Sequence, residues 1–243
     1  MANFTLRLVT YNIRKGKGAS GRSRTAFHGV SQALRDHGAD LVLVQEAFHT
    51  RDDDHHQSNE LADALGLHEY NAPNKRRQDG HHGNTTLSRH RALEVSNFDI
   101  STNPIERRGA LYVKLDTPSG FVHVINVHLG LNQGQRRRQV RSLADIVDSR
   151  VPQNDALVIA GDFNDWNERM DAVVRKRLEV RNAFGDLADA PRTWPAPRPV
   201  FKLDRVYVRN LKTRGPELLR GEPWRELSDH LPLAVTLERS KSE

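Results

Sequence analysis

Cysteine is absent from this 243-residue chain, which removes disulfides, thiolate metal centres and a cysteine nucleophile at once. No apolar run approaches the length of a membrane span, and the first ten residues lack a basic stretch followed by a long apolar one. Repeats, low-complexity tracts and Pro/Ser-rich linkers are missing too. These absences lead to the expectation of a soluble, cytoplasmic, monomeric protein with one domain over residues 1–243 and flexibility confined to the polar tail Arg239–Glu243. No amphipathic anchor or exposed apolar loop is evident in the pattern.

The charge is unbalanced: 37 Lys and Arg face 31 Asp and Glu, a formal +6. That tilts the partners toward anions, nucleic acid or an anionic lipid surface, although many basic proteins bind neither. Clear aliphatic blocks punctuate the chain, and the most informative is Leu157-Val158-Ile159-Ala160-Gly161-Asp162-Phe163-Asn164. Four aliphatic residues in a row suit a strand covered on both faces. If extended geometry persists past Gly161, Asp162 and Asn164 project to the same side at the rim of a sheet. The same residues also read as a turn.

In chain order, Phe4–Tyr11 alternates as a first strand and leads through Asn12 into the basic loop Arg14-Lys15-Gly16-Lys17. Phe27, Val30, Ala33 and Leu34 recur at helical spacing, with Gly38 as the stop. Asp40–Glu46 is a second buried strand ending on a carboxylate. Strand, helix and strand in this order point to an α/β layered protein, and Asn12 and Glu46 fall at strand ends, where such sheets collect functional groups.

Arg51–His56 reads as a polar loop; its acidic triplet and the His55-His56 and His81-His82 pairs fit solvated loop residues better than metal ligands. A short helix carries Leu61, Ala64 and Leu65. Gly83–Arg89 and Ala92–Ser96 are short strands. Ala110–Leu115 and Phe121–His128 form a hairpin, with Arg108 before it and Asn126 and His128 on one face. Gln135–Arg150 is a helix whose Arg136, Arg137, Arg138 and Arg141 read as a solvated face rather than a substrate patch. A further helix holds Met170 to Leu178, and Thr193–Pro199 is an ordered loop. In Phe201–Val208 the Asp204 carboxylate sits among apolar neighbours and needs a partner. A last strand leaves the pair Asp229-His230.

Asn12 in Thr-Tyr-Asn-Ile, Glu46 in Val-Gln-Glu, His128 in Asn-Val-His-Leu, Asp162 and Asn164 in Gly-Asp-Phe-Asn, Asp204 in Leu-Asp-Arg-Val and Asp229-His230 in Ser-Asp-His-Leu-Pro follow one another over residues 9–237. This succession resembles the endonuclease/exonuclease/phosphatase superfamily, the deoxyribonuclease-I-like fold. The resemblance implies a four-layer α/β/β/α sandwich: two mostly antiparallel sheets packed face to face with helices outside, and an active site where strand ends of both sheets meet. Gly-Asn-Thr-Thr-Leu-Ser stands where many bacterial members have Gly-Asn-Ala and an aliphatic residue, a departure that concerns packing more than catalysis.

The resemblance further implies a divalent-metal-dependent phosphoester hydrolase. Glu46, with Asn12 and Asp229, would hold Mg²⁺, or Mn²⁺ in its place, since oxygen donors suit a hard cation. Asp162 would activate water, Asn164 would hold the water or a phosphate oxygen, and His230, oriented by Asp204, would work with His128 in charge stabilisation or proton transfer. Which histidine is the acid and which the base stays open. Arg108 and Asn84 are candidate phosphate contacts.

A histidine at position 128 disfavours the exonuclease-III-like apurinic endonucleases, which generally have a different residue there. Nucleic acid is then the expected substrate, suggested by the family and by the basic loops 14–17 and Lys75-Arg76-Arg77. A phospholipid or small phosphoester is the alternative, and a binding module that has lost activity is a third reading, weakened because no key position is missing.

Overall fold

The computed structural model describes residues 4–23, 25–50, 56–77 and 80–239. In chain order the elements are β1 (Phe4–Asn12), α1 (Ala26–His37), β2 (Leu41–Thr50), α2 (Gln57–Leu65), β3 (His68–Arg77), β4 (Gly80–Ser88), β5 (Ala92–Asp99), β6 (Gly109–Thr117), β7 (Gly120–His128), α3 (Gln133–Arg150), β8 (Ala156–Asp162), α4 (Asp171–Leu178), β9 (Arg181–Asn182), β10 (Asp204–Arg209), β11 (Lys212–Leu218), α5 (Trp224–Leu227) and β12 (Leu233–Arg239).

Period-two alternation with both faces apolar builds the layers. Leu6 and Leu8 point between the sheets against Leu111, Val124, Val158 and Val206. Val9 and Tyr11, one residue out of phase, point the other way against Phe27, Val30 and Leu34 of α1. In the second sheet Ile125, Val127 and Ile159 face Val140, Leu143 and Val147 of α3 and Val174 of α4. Each such side chain contributes about 1.5–3 kcal/mol on burial. The result is the helix–sheet–sheet–helix sandwich implied by the motifs.

The two six-stranded sheets run β11-β12-β1-β2-β4-β3 and β5-β6-β7-β8-β10-β9. At the centre of each lies a parallel pair joined through a helix, β1–β2 through α1 and β7–β8 through α3. The neighbouring pairings are antiparallel. Asn12, His128 and Asp162 are the last residues of β1, β7 and β8, so the parallel pairs deliver polar groups to one end of the sandwich. The chain turns away after His128 through a capping box: Asn132 Oδ1 accepts from Gly134 N–H at 2.8 Å and Gln135 Oε1 from Asn132 N–H at 3.1 Å.

Polar side chains tie the sheets together beneath that end. Gln45 Nε2 donates to Asn126 Oδ1 at 2.8 Å, and Asn126 Nδ2 donates to the carbonyls of Val44 and Thr85 at 3.1 and 2.9 Å. The amide donors of both side chains are matched to acceptors, while the buried Gln45 Oε1 is left without a partner.

Several elements differ from the sequence-based expectation. The second strand does not end at Glu46 but continues to Thr50, because β4 supplies a partner through Ala47↔Gly83 to Thr50↔Gly80. Lys75, Arg76 and Arg77 belong not to a loop but to β3, an edge strand disguised by its polar composition and by Pro73, which sits at a register shift against β4; their side chains lie outside the described residues. Arg239 belongs to β12 and donates to Phe121 O at 2.7 Å, while the rest of the expected flexible tail lies outside the described residues. So do Arg51–His55 of the polar loop.

Candidate active site

Asp162 lies where the sheets meet. Its strand comes so close to β7 that a Cβ at Gly161, where φ is +141°, would stand 2.0 Å from Val127 O, so only glycine fits. The buried Asp162 carboxylate faces three groups through Oδ2: Asn12 Nδ2 at 3.1 Å, His128 Nε2 at 3.4 Å and His230 Nε2 at 3.7 Å. Its Oδ1 accepts from Asn164 N–H at 2.9 Å.

That last bond corrects the geometry expected for Asp162 and Asn164. Extended structure stops at Asp162, whose carboxylate closes an Asx-turn on Asn164 N–H, and Asn164 turns back with φ +48°, a conformation asparagine tolerates. The two residues are therefore joined by a turn rather than by strand alternation. The Asn164 amide donates to Leu129 O at 2.9 Å and so locks the turn to the segment after His128.

His230 comes from the loop before β12, and its Nδ1 lies 2.8 Å from Asp204 Oδ2 at the start of β10. Both side chains are buried. Burial works against a charged imidazole, but Asp204 and Asp162 outweigh it and push the His230 pKa up to about 10. His128 has the opposite fate: burial and the nearby Arg108 guanidinium lower its pKa to about 4 against the pull of Asp162 and Glu46. At neutral pH the site thus holds one imidazolium and one neutral imidazole on either side of a carboxylate, whose own pKa is raised by burial against the pull of both histidines.

Glu46 is not at a strand end but inside β2, at a register shift between Val44 and Ala47, with φ +58°. The bulge re-aims its side chain. Lys15 Nζ meets its carboxylate at 2.6 Å. Burial opposes the charge of Glu46, but His128 and Lys15 hold its pKa down at about 2, a range in which His128 is itself protonated.

Asp229, expected beside Glu46 as a metal ligand, pairs with Arg14 Nε at 3.4 Å and lies 3.5 Å from Trp194 Nε1. Asn12 turns its Nδ2 to Asp162 and its Oδ1 to Arg14 N–H at 3.1 Å. The 14–17 segment is thus not an open basic loop. It begins as a 3-10 turn with Arg14 and Lys15 at positive φ, and these two cations fold onto Asp229 and Glu46, while Lys17 is exposed.

Arg108 is half-buried and paired with Glu106 at 2.8 Å. Asn84 departs from its expected role: its Nδ2 donates to Gly109 O and Asn126 O, both at 3.0 Å. Both amide hydrogens are spent tying β4 to the second sheet, so no donor is left for a phosphate oxygen.

The arginines of α3 also divide differently from the expected solvated face. Arg137, Arg138 and Arg141 are exposed, but Arg136 is buried and donates to Gly130 O and Leu131 O at 3.2 and 2.6 Å. Behind the Asn164 turn, Asp165 holds Arg205 at 3.1 Å and lies 3.9 Å from Arg136, a buried ion network missed in the sequence although Asp165 directly follows the Gly-Asp-Phe-Asn motif. His81 and His82 lie on β4 rather than in a loop, and His81 stacks on His49 at 4.7 Å between ring centroids.

Asp162, Asp204 and His230 bring one ligand atom each to within 4.8 Å of one another and form a group able to hold a metal ion. Glu46 and Asp229 offer carboxylates that are partly open to solvent.

Acid and base groups gather at the strand ends of the two-sheet sandwich beside partly exposed carboxylates, an arrangement suited to hydrolysis. The chain belongs to the endonuclease/exonuclease/phosphatase family, whose sequence model matches residues 9–230. It is 33% identical over 248 residues to protein YbhP of Escherichia coli K12, covering 96% of each chain. Among solved structures, an endonuclease/exonuclease/phosphatase from Beutenbergia cavernae superposes with a TM-score of 0.82 at 19% identity, over 97% of this chain and 72% of that one. Another from Bacteroides vulgatus gives 0.80 at 20% identity, over 98% and 100%; at these identities the likeness is one of fold.

Proposed function

We propose that this protein is a divalent-metal-dependent hydrolase of phosphoesters, with Asp162, His128 and His230 as its catalytic centre within one domain over residues 1–243. The observation that carries the reading is the convergence of His128 Nε2 and His230 Nε2, 3.4 and 3.7 Å from one buried Asp162 oxygen, with Asp204 held at 2.8 Å on the other ring nitrogen of His230. Water bound at Asp162 Oδ2, oriented by Asn164, would give up its proton to that carboxylate, whose raised pKa suits a general base, as its oxygen attacks phosphorus and the bond to the leaving oxygen breaks, that oxygen being protonated by solvent water. The His230 imidazolium, steadied by Asp204, would donate to a phosphoryl oxygen where charge develops. Neutral His128 would sit at the phosphate or the leaving oxygen, with Arg108 released from Glu106 as a phosphate clamp.

Oxygen donors at Glu46, Asp229 and the Asn12 amide fit a hard cation such as Mg²⁺, or Mn²⁺ in its place, better than the Asp162–Asp204–His230 group does. A protonated His230 has no lone pair for a metal, and Asp204 is committed to it. When bound, the cation would supply Lewis-acid polarisation of a phosphoryl oxygen.

Nucleic acid as substrate is supported by the formal charge of +6. A second reading, a phospholipid, is supported by the rim of the site and is taken up below. Hydrolysis of bis-p-nitrophenyl phosphate, with and without EDTA, tests the reaction itself; a rate that survives EDTA and Glu46→Gln would remove the metal from the account.

A further inference from the structure

The loops that surround the catalytic end carry aliphatic side chains aimed at solvent. Ile105 is 81% exposed, Leu131 58% and Val200 53%, contrary to the expectation that no apolar loop is exposed. Ile105 belongs to the loop before Gly109, where β6 starts beside the end of β7; Leu131 follows His128; and Val200 precedes Asp204. All three loops therefore open at the end of the second sheet that holds Asp162.

Contacts join them into one rim. Leu131 N–H donates to Glu106 Oε1 at 3.3 Å, next to Ile105, and Asn167 Nδ2 reaches Gln133 Oε1 at 3.5 Å. Trp166, beside Asn167, packs edge-on against Trp194 and Phe201 with centroids 5.0 and 5.1 Å apart, and Val200 N–H donates to Trp194 O at 2.8 Å. Arg137 and Arg138, exposed in the first turns of α3, come six and seven residues after Leu131, and Arg198 is exposed two residues before Val200. The acidic residues on this rim are answered locally: Asp99 pairs with Arg107, Glu106 with Arg108 and Glu168 with Lys202.

Aliphatic tips with amphipathic indoles between them and cationic side chains alongside match a bilayer interface: apolar groups enter the acyl boundary, tryptophan sits at headgroup level and arginine meets anionic phosphates. A groove for single-stranded nucleic acid is built mainly from stacking rings and cations, whereas the tips of this rim are aliphatic. We propose that this rim docks the protein on an anionic lipid surface, presenting a phospholipid headgroup phosphoester to the Asp162 centre. The lipid substrate rests on the hydrolase reading above, whereas the docking does not.

The test is therefore made on binding. Wild type, His230→Ala and the double variant Ile105→Asp/Leu131→Asp are sedimented with vesicles of phosphatidylglycerol and phosphatidylcholine in equal parts, and of phosphatidylcholine alone, in EDTA. The same proteins are titrated into a labelled DNA oligonucleotide. Thermal unfolding controls the fold, both replaced side chains being mostly exposed. Wild type and His230→Ala should bind the anionic vesicles at least about tenfold more tightly than the zwitterionic ones, and the double variant should lose about tenfold or more. Equal sedimentation of the double variant, absence of wild-type binding to anionic vesicles, or binding to DNA alone would each overturn the proposal. Vesicle binding without hydrolysis of any phosphoester would leave the docking standing and sink the hydrolase reading.

Discussion

His230 Nδ1 and Asp204 Oδ2 stand 2.8 Å apart in the interior of the site, and this contact sets the protonation state of the histidine facing Asp162. The His230 pKa of about 10 in the folded chain lies well above the roughly 6.5 of an unfolded histidine. The pair's contribution to stability is thus fully present below pH 6.5 and is lost as pH rises through 10. In EDTA, the midpoint of thermal unfolding should fall for wild type across that window. Asp204→Asn, having lost the larger of the charges that raise the pKa, should show a flatter profile there and a catalytic rate lower by about two orders of magnitude. Parallel stability profiles for the two proteins would remove the coupling.

Gly161 is the second point of strain. A methyl group there meets Val127 O at 2.0 Å on a backbone of φ +141°, and relief requires separating β7 from β8. Gly161→Ala should cost about 3 kcal/mol or more, a fall of roughly 10 °C in the unfolding midpoint. A midpoint within 2 °C of wild type, taking that as about the smallest meaningful shift, would show that the strands yield easily.

The buried Asp165–Arg205 pair tests structure apart from chemistry. Arg205→Met leaves Asp165 without its 3.1 Å partner in the interior and should destabilise by about 3–5 kcal/mol. Urea unfolding measures it, and a change below about 1 kcal/mol would mean that Arg136 takes over the charge.

Much of this was legible in the chain. The strand–helix–strand order points to a layered α/β protein, and the aliphatic runs ending on Asn12, His128 and Asp162 to the end at which polar groups collect. The packing of two sheets face to face is legible only through the family resemblance, since buried polar residues such as Gln45 and Asn126 also lie within strands. Asp204 declared its need of a partner as a carboxylate among apolar neighbours. Glu46 reads as a strand end but lies inside β2, since a bulge leaves no compositional mark. Asn84 looked functional because buried and catalytic amides read alike in sequence. The β3 strand was hidden by its polar, Pro-containing edge. Arg14 and Lys15 read as part of a basic loop suggesting nucleic acid, because nothing local says that a left-handed turn folds their charges inward onto Asp229 and Glu46. The apolar rim escaped notice since Ile105, Leu131 and Val200 are far apart in sequence and meet only through the loops.

Glu46 can be separated from the acid–base groups. Its partner Lys15 is partly exposed, so Glu46→Gln should leave the unfolding midpoint within a few degrees of wild type while raising the Mg²⁺ concentration for half-maximal activity by about tenfold or more. An unchanged metal requirement, measured by Mg²⁺ titration of the rate, would move the cation to the Asp162–Asp204–His230 group.

The central claim is that a metal-assisted hydrolytic centre is built around Asp162, and one comparison addresses it most directly: single-turnover hydrolysis of bis-p-nitrophenyl phosphate in Mg²⁺ by wild type, Asp162→Asn and His230→Ala, each repeated in EDTA. The account expects a wild-type rate abolished by EDTA and reduced by about three orders of magnitude or more in both variants. Wild-type rates in either variant, or a rate indifferent to EDTA, would contradict it.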